Sequence, residues 1–255
     1  MLTDAEIAKY EETGWVVPDY RVPDALLEEA DARATAMMAA RPDYKDLYPD
    51  LLGADIWFIE IAREPGLLEM LRQVLGPDIA LWTGAMFGKP ADGGKATPWH
   101  QDGEYWPIRP LETATAWVAL DDSTPENGCL RVIDGSHRDR RLHPHHRKAG
   151  DLTLHQEIDA AALDESRASD VVLKRGQVSI HDAYLTHGSA PNRSSKRRLG
   201  LTYRFMPARC HFDRALAARQ HAESGVPDIS RRPIYLVSGS DAAAPNAFDP
   251  IPEMA

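Results

Sequence analysis

The stretch Thr113-Ala114-Thr115-Ala116-Trp117-Val118-Ala119-Leu120 decides the fold class. Residues of a strand alternate between two faces, and a strand with one wet face alternates apolar with polar. This segment shows little polar alternation, so both its faces are expected to be covered, as in an inner strand of a two-sheet jelly roll. Short runs of the same texture lie around it: Ile79–Phe87, Leu130–Ile133, Asp170–Leu173, Gln177–Ile180 and Leu199–Phe205, separated by Gly, Pro, Asn and Asp. Repeated short strands with turn signals between them point to a sandwich or barrel.

Upstream of Gly76 the texture is helical. Thr3 and Glu6 form a capping box, Ile7 and Tyr10 supply an apolar face, and Gly14 fits the stop. A second helix opens at Pro23-Asp24 and carries Leu26, Leu27, Ala30, Ala34, Met37 and Met38 at helical spacing. A third runs from Pro65 through Leu67, Leu68, Leu71, Val74 and Leu75 to Gly76-Pro77. The expected organisation is one domain over 1–255: a mostly helical part at 1–76, a jelly-roll core at 77–207, and a C-terminal helix and tail at 208–255. Ser166–Asp170 reads as surface loop and Asp241–Ala247 as loose tail.

A chain of 255 residues buries about three quarters of its unfolded surface and needs no disulfide staples. Hydrophobic content of 43% and charged content of 27% are ordinary for a globular protein. The net charge of -10 argues against nucleic acid or anionic membrane as partner. Cys129 and Cys210 allow one disulfide but no disulfide framework. The start MLTDAEIAKYEETG lacks the pattern of a signal peptide, and no apolar run is long enough to span a bilayer. The expected location is the cytoplasm, and oligomeric state is left open.

Chemistry concentrates in Trp99-His100-Gln101-Asp102. Two apart on a strand, His100 and Asp102 reach toward one point, as two of the three ligands of a facial triad. The third must come from a distant strand, leaving the opposite face open for co-substrate and oxygen. By itself His-x-Asp is more often a surface pair. The segment from His187 to Arg198, HGSAPNRSSKRR, strengthens the metal reading. If the strands flanking its turn pair, His187 and Arg198 come together, and an arginine fork grips a carboxylate better than a lysine does. A metal beside such a clamp suits a keto acid that chelates at one end.

These motifs resemble the phytanoyl-CoA dioxygenase family of Fe(II)/2-oxoglutarate oxygenases, which includes an ectoine hydroxylase-like branch. The resemblance runs from the N-terminal helix to Pro207. It is densest at Lys89-Pro90, WHQDGEYWP (Trp99–Pro107), ENGCLRVIDGSH (Glu126–His137) and HGSAPNRSSKRR (His187–Arg198). It implies a double-stranded β-helix, the cupin-like jelly roll with helices outside, and Fe(II) ligated by His100, Asp102 and His187. Arg198 would take the distal carboxylate of 2-oxoglutarate, Ser189 would assist, and Trp117 would wall the pocket. The implied reaction consumes O2, converts 2-oxoglutarate to succinate and CO2, and hydroxylates a substrate C–H bond. The halogenase variant of the site lacks the carboxylate ligand, whereas Asp102 is present here.

Plainer readings stand beside these. Ser189 could close a local turn, Trp117 could be core, and His137 reads as structural. His143-Pro144-His145-His146 reads as a loop without the spacing to hold a metal. His181-Asp182 has its side chains on opposite faces. The basic run Arg193–Arg198 reads as site and surface rather than nucleic-acid contact. Tyr105 and Trp106 are expected at the mouth, and Trp57, Trp82 and Trp99 as core or as a cation-attracting wall. Thr202 and Arg204 share a face with Arg198, so Arg204 offers a second anionic contact. The substrate expected is a small polar or anionic metabolite. Readings of other kinds are a non-catalytic jelly-roll binding module and a cupin-like metalloenzyme that needs no keto acid.

Overall fold

The N-terminal helices begin and end at the signals that the sequence carries. The computed structural model describes residues 1–224, 226–241 and 244–253. Helix α1 (Asp4–Thr13) opens on the Thr3–Glu6 capping box and closes at Gly14, whose φ of 86° is left-handed backbone that glycine adopts without strain. Then come α2 (Asp24–Ala40), α3 (Leu51–Ala54), α4 (Ile59–Ala62) and α5 (Pro65–Leu75). In α5 the apolar stripe predicted from spacing is the face that is buried: Leu67, Leu68, Leu71 and Leu75 all pack inward.

The strands are β1 (Trp15–Val16), β2 (Leu47–Tyr48), β3 (Ile79–Lys89), β4 (Thr97–Gln101), β5 (Ile108–Arg109), β6 (Ala114–Ala119), β7 (Leu130–Ile133) and β8 (His145–Arg147). They continue as β9 (Gln156–Ile158), β10 (Ala168–Val171), β11 (Val178–Asp182), β12 (Thr186–Ser189), β13 (Arg198–Pro207), β14 (His211–Phe212) and β15 (Tyr235–Ser238), with α6 (Arg214–Ser224) before the last. A major antiparallel sheet has the order β1-β11-β6-β13-β3-β15, with β2 also on β3. A four-stranded minor sheet has the order β10-β7-β12-β4. Strands β5 and β14 form one short pair, β8 and β9 another. This is the jelly-roll architecture with flanking helices that the strand pattern implies.

The two faces of the major sheet explain why β6 lacks polar alternation. Its outer side, with Ala114, Ala116 and Val118 beside Leu199, Leu201 and Tyr203, packs against α2–α5 in the largest apolar cluster. Its inner side presents Thr115 and Trp117, His181 from β11, and Arg198, Thr202 and Arg204 from β13 toward the minor sheet. Both faces are buried, one by helices and one by a polar cavity between the sheets.

Four expectations need correction. Strands β12 and β13 do not pair across their turn; β12 lies in the minor sheet and β13 in the major one. Ser166–Asp170 is not all loop, because β10 begins at Ala168 and pairs with β7. His145 and His146 lie in a strand, β8, rather than in a free loop. The tail also returns to the core: β15 adds to the edge of β3, so the major sheet extends past residue 207. In the stretch read as loose tail, Ala242 and Ala243 lie outside the described residues, while Asn246 bonds the backbone of Cys210 and Phe212. Cys129 and Cys210 are free buried thiols.

Candidate active site between the two sheets

His187 on β12 and His100 on β4 are directly opposite in register, which sets their rings 4.2 Å apart centre to centre. Asp102 follows one residue beyond the end of β4, as the first residue of a 3-10 turn, so a turn rather than a continuing strand aims its carboxylate. Ligand atoms of His100, Asp102 and His187 all lie within 4.8 Å of one another, and all three residues are buried. This is the one cluster of its kind among the described residues.

Each histidine is locked by a backbone carbonyl two residues earlier: His100 Nδ1 by Pro98 at 2.8 Å, His187 Nδ1 by Leu185 at 2.9 Å. A carbonyl only accepts, so Nδ1 donates and the lone pair sits on Nε2, facing Asp102. Those Nε2 atoms lie 3.6 and 4.0 Å from the Asp102 carboxylate oxygens. Burial pushes the His187 imidazole down to about 3, with the neighbouring His100 adding to the effect, so it stays neutral. Burial alone would raise the Asp102 carboxyl, but its surroundings, the Arg204 guanidinium first among them, outweigh it and hold the group ionised. Two imidazoles and one carboxylate on one side of a cavity suit a divalent first-row metal with its remaining positions open.

Gln101, between the two would-be ligands, faces the other way and anchors the segment. Its side-chain amide donates to Arg141 O and Tyr184 O, and its carbonyl accepts from His143 N. Its backbone N–H donates to His145 Nε2 at 3.0 Å. The cluster at 143–146 therefore supports the site from outside, and it is a hydrogen-bonding brace rather than a second metal site. His137 is likewise structural, buried against Glu11 O.

Across the cavity, Arg198 opens β13. The guanidinium lies 5.2 Å from the Trp117 ring centre, and its Nε has no protein partner. Burial lowers it to about 10, which leaves it charged at neutral pH. Ser189 lies two residues beyond His187 on β12, and Trp117, Ser189, Arg198 and the two histidines line one small cavity. Gly200 makes this wall possible: a Cβ there would sit 2.1 Å from the Trp117 ring. Sequence reading missed Gly200, although a glycine inside a strand signals close approach of a neighbour. The turn before Arg198 is pinned by Asn192, whose amide donates to the carbonyls of Lys89, Pro90 and Lys196. Buried Lys89 adds a bond to Ala190 O at 2.8 Å. Arg197 points outward and is tied to Asp121 and Asp31.

A larger cavity of about 430 Å³ opens from the same carboxylate and runs under α6 and the β8–β9 hairpin. Tyr105 and Trp106 line it, as expected for the mouth, and Arg204 borders both cavities. Trp82 reaches its wall through a bulge in β3: Thr83 pairs with Arg204 and Leu81 with Phe205, leaving Trp82 as the extra residue. Trp57 and Trp99 do not line it; they lie under Arg33 and Arg131 respectively. Arg147, Arg204 and Arg232 line the cavity, and Asp102 is its sole acidic residue among the described ones. None of the described helices is long and apolar enough to cross a membrane.

Known proteins share this plan. Bovine peroxisomal phytanoyl-CoA dioxygenase (Bos taurus) is 31% identical over 176 residues, covering 66% of this chain and 52% of that protein. A probable alpha-ketoglutarate-dependent hypophosphite dioxygenase from Stutzerimonas stutzeri is 26% identical, covering 64% of this chain and 56% of that one. The chain thus spans about half the length of the curated relatives it matches. Among solved structures, the non-heme monooxygenase ThoJ superposes with a TM-score of 0.74 at 28% identity, over 93% of this chain and 85% of that one. The epimerase SnoN, solved with Fe3+ and alpha ketoglutarate, shares the fold with a TM-score of 0.67 at 22% identity, over 82% of this chain and 85% of that one. With residues 2–200 matching the family described as Phytanoyl-CoA dioxygenase (PhyH), the chain belongs to that family of Fe(II)/2-oxoglutarate-dependent oxygenases.

Proposed function

We propose that this protein hydroxylates a small polar or anionic metabolite, using Fe(II) and O2 and converting 2-oxoglutarate to succinate and CO2. The observation that carries the reading is the convergence of two sets of groups on one buried cavity. Three ligand atoms lie within 4.8 Å of one another on one side, and an unpartnered arginine stands on the other. His100, Asp102 and His187 would hold the iron, each histidine through Nε2. Arg198 would fork onto the distal carboxylate of 2-oxoglutarate, with Ser189 assisting and Trp117 closing the wall. When bound, the metal and keto acid supply the oxidising chemistry; the protein fixes geometry and excludes bulk water.

The larger cavity supports the substrate class. A site of about 430 Å³ falls in the range of small-molecule pockets. Its arginines, facing a carboxylate already committed to the metal, favour an anionic group, while Trp82, Trp106 and Ile229 offer apolar wall. The bovine relative is named for an acyl thioester and the bacterial one for hypophosphite. Of these two kinds of substrate, the three arginines on the cavity wall favour the small oxyanion. Free buried thiols at Cys129 and Cys210 agree with a reducing compartment such as the cytoplasm.

The test has two stages. Anaerobic protein with Fe(II) should develop a weak visible charge-transfer band when 2-oxoglutarate is added. No band, with iron shown to be bound, would remove the co-substrate from the reading. A metabolite screen scored by succinate release, weighted toward small carboxylates and phosphorus oxyanions, then identifies the substrate. Turnover confined to apolar or cationic compounds would overturn the assigned class.

A further inference from the structure

His181 takes no part in the roles assigned above, yet it is the most conspicuous unused group in the cavity. It is 2% exposed, and neither ring nitrogen has a hydrogen-bond partner. A buried polar group without a partner has given up its bonds to water and gained none in return. Two such atoms on one ring therefore call for a ligand. The outward neighbour Asp182 is satisfied, pairing with Arg140 at 2.6 Å and accepting from Tyr184 N. The deficit belongs to the inward face alone.

Position says which part of a ligand the ring would meet. The His181 ring lies 5.0 Å from the His187 ring, centre to centre. It is cross-strand partner to Thr115, whose buried hydroxyl also lacks a partner. Thr115 is also the cross-strand partner of Arg204, whose Nε lies 4.0 Å from the Asp102 carboxylate. Arg198 opens the same strand well before Arg204 and lies against Trp117, at the other end of the cavity. His181 and Arg198 thus stand at opposite ends of one small space that both line.

We propose that His181, with Thr115 beside it, hydrogen-bonds the metal-binding end of 2-oxoglutarate, while Arg198 holds the far carboxylate. The inference rests on the 2-oxoglutarate reading above. A neutral imidazole offers one N–H donor and one acceptor. The donor meets an oxygen of the α-keto acid end, and the unpartnered Thr115 hydroxyl beside it meets a second. His181 would be a positioning contact: it fixes the rotation of the keto acid about the axis that runs from the metal to Arg198.

The experiment measures anaerobic affinity for 2-oxoglutarate and for glutarate in Fe(II)-loaded wild type, His181→Leu and Arg198→Lys. Glutarate keeps both carboxylates and lacks the keto oxygen, so it cannot make the same chelate. A hydrogen bond to a charged group is worth roughly ten- to a hundredfold in affinity. His181→Leu should weaken 2-oxoglutarate by that factor and glutarate much less, with the iron affinity unchanged. Arg198→Lys should weaken both acids alike. Equal 2-oxoglutarate affinity in His181→Leu and wild type overturns the inference, as does an equal loss for both acids. Because His181→Leu could fail to fold, the Zn(II)-loaded wild type supplies a second readout. Adding 2-oxoglutarate should shift and protect one imidazole N–H resonance, assigned to His181 by its absence in His181→Asn. An unmoved resonance in protein that binds 2-oxoglutarate also overturns it. Wild type that binds no 2-oxoglutarate at all sinks the functional reading instead, which keeps the two failures apart.

Discussion

The two walls of the cavity are built to opposite rules. On the minor-sheet wall the two histidines are tied down: His100 and His187 each hold a backbone carbonyl, and behind them Gln101 spends its amide on three backbone partners. On the major-sheet wall, Thr115 Oγ1, Ser179 Oγ, both nitrogens of His181, Arg198 Nε and Arg204 Nε are buried without partners. Satisfied second bonds fix a side chain's direction before a ligand arrives, and a metal needs that because its geometry is exacting. Unsatisfied groups store affinity for a ligand that brings its own oxygens. On the proposed function, the minor sheet would be prepared for an ion and the major sheet for organic anions.

The largest expected effect falls on the minor-sheet wall. His100→Ala, Asp102→Ala and His187→Ala should each lower iron affinity and oxygenation by more than ~100-fold, since even outer neighbours of a metal cost 10–100-fold. Circular dichroism should show the fold retained, because the main apolar cluster lies on the far side of the major sheet. Full activity in any of the three at limiting iron would take that residue out of the ligand set.

The next effect belongs to the opposite wall and should leave iron alone. Arg198→Lys keeps the charge and loses the planar fork, at a cost of ~1.5–3 kcal/mol, or roughly ten- to a hundredfold in 2-oxoglutarate affinity. Parallel titrations of iron and 2-oxoglutarate separate the two walls. An unchanged 2-oxoglutarate affinity would move the clamp to Arg204, because Arg197 is committed outward to Asp31 and Asp121.

Gly200→Ala probes how that wall is packed. The added methyl must displace the Trp117 ring, for which overpacking costs of ~1–3 kcal/mol are usual. Thermal denaturation should show the lost stability, and 2-oxoglutarate affinity should fall as Trp117 leaves the side of Arg198. A stable variant with wild-type affinity would mean that the Trp117 ring is not held there by the glycine.

Sequence was legible where function uses a local rule and opaque where it uses topology. The capping box at Thr3, the stop at Gly14 and the apolar stripe of α5 are short-range patterns, and all stand where they were read. The three clustered residues were legible too, although the strand argument holds only for His100, since Asp102 lies in a turn. The route that brings His187 near Arg198 was not. Their turn suggested a hairpin, but the chain crosses between sheets, and proximity arises across the sandwich rather than along a ladder. His145 and Gln101 were opaque for the same reason: their bond spans residues far apart in sequence, and nothing local marks it.

The smallest effect makes the sharpest test of the contrast between walls. Ser189 is the minor-sheet residue proposed to assist Arg198, carried into the cavity by its place two residues beyond His187 on β12. A bulge between β12 and β4 separates the two: His187 pairs with His100, but Ser189 pairs with Thr97. A neutral hydroxyl contact is worth ~0.5–1.5 kcal/mol, so Ser189→Ala should weaken 2-oxoglutarate by about two- to tenfold. Iron affinity should stay at the wild-type value, because no ligand and no locking carbonyl is touched. The titrations used for Arg198→Lys measure it directly. A loss as large as that of Arg198→Lys would place a principal anchor on the minor sheet and break the division between an ion wall and an anion wall. No loss at all would reduce Ser189 to a turn-closing residue and leave the keto acid wholly to β6, β11 and β13.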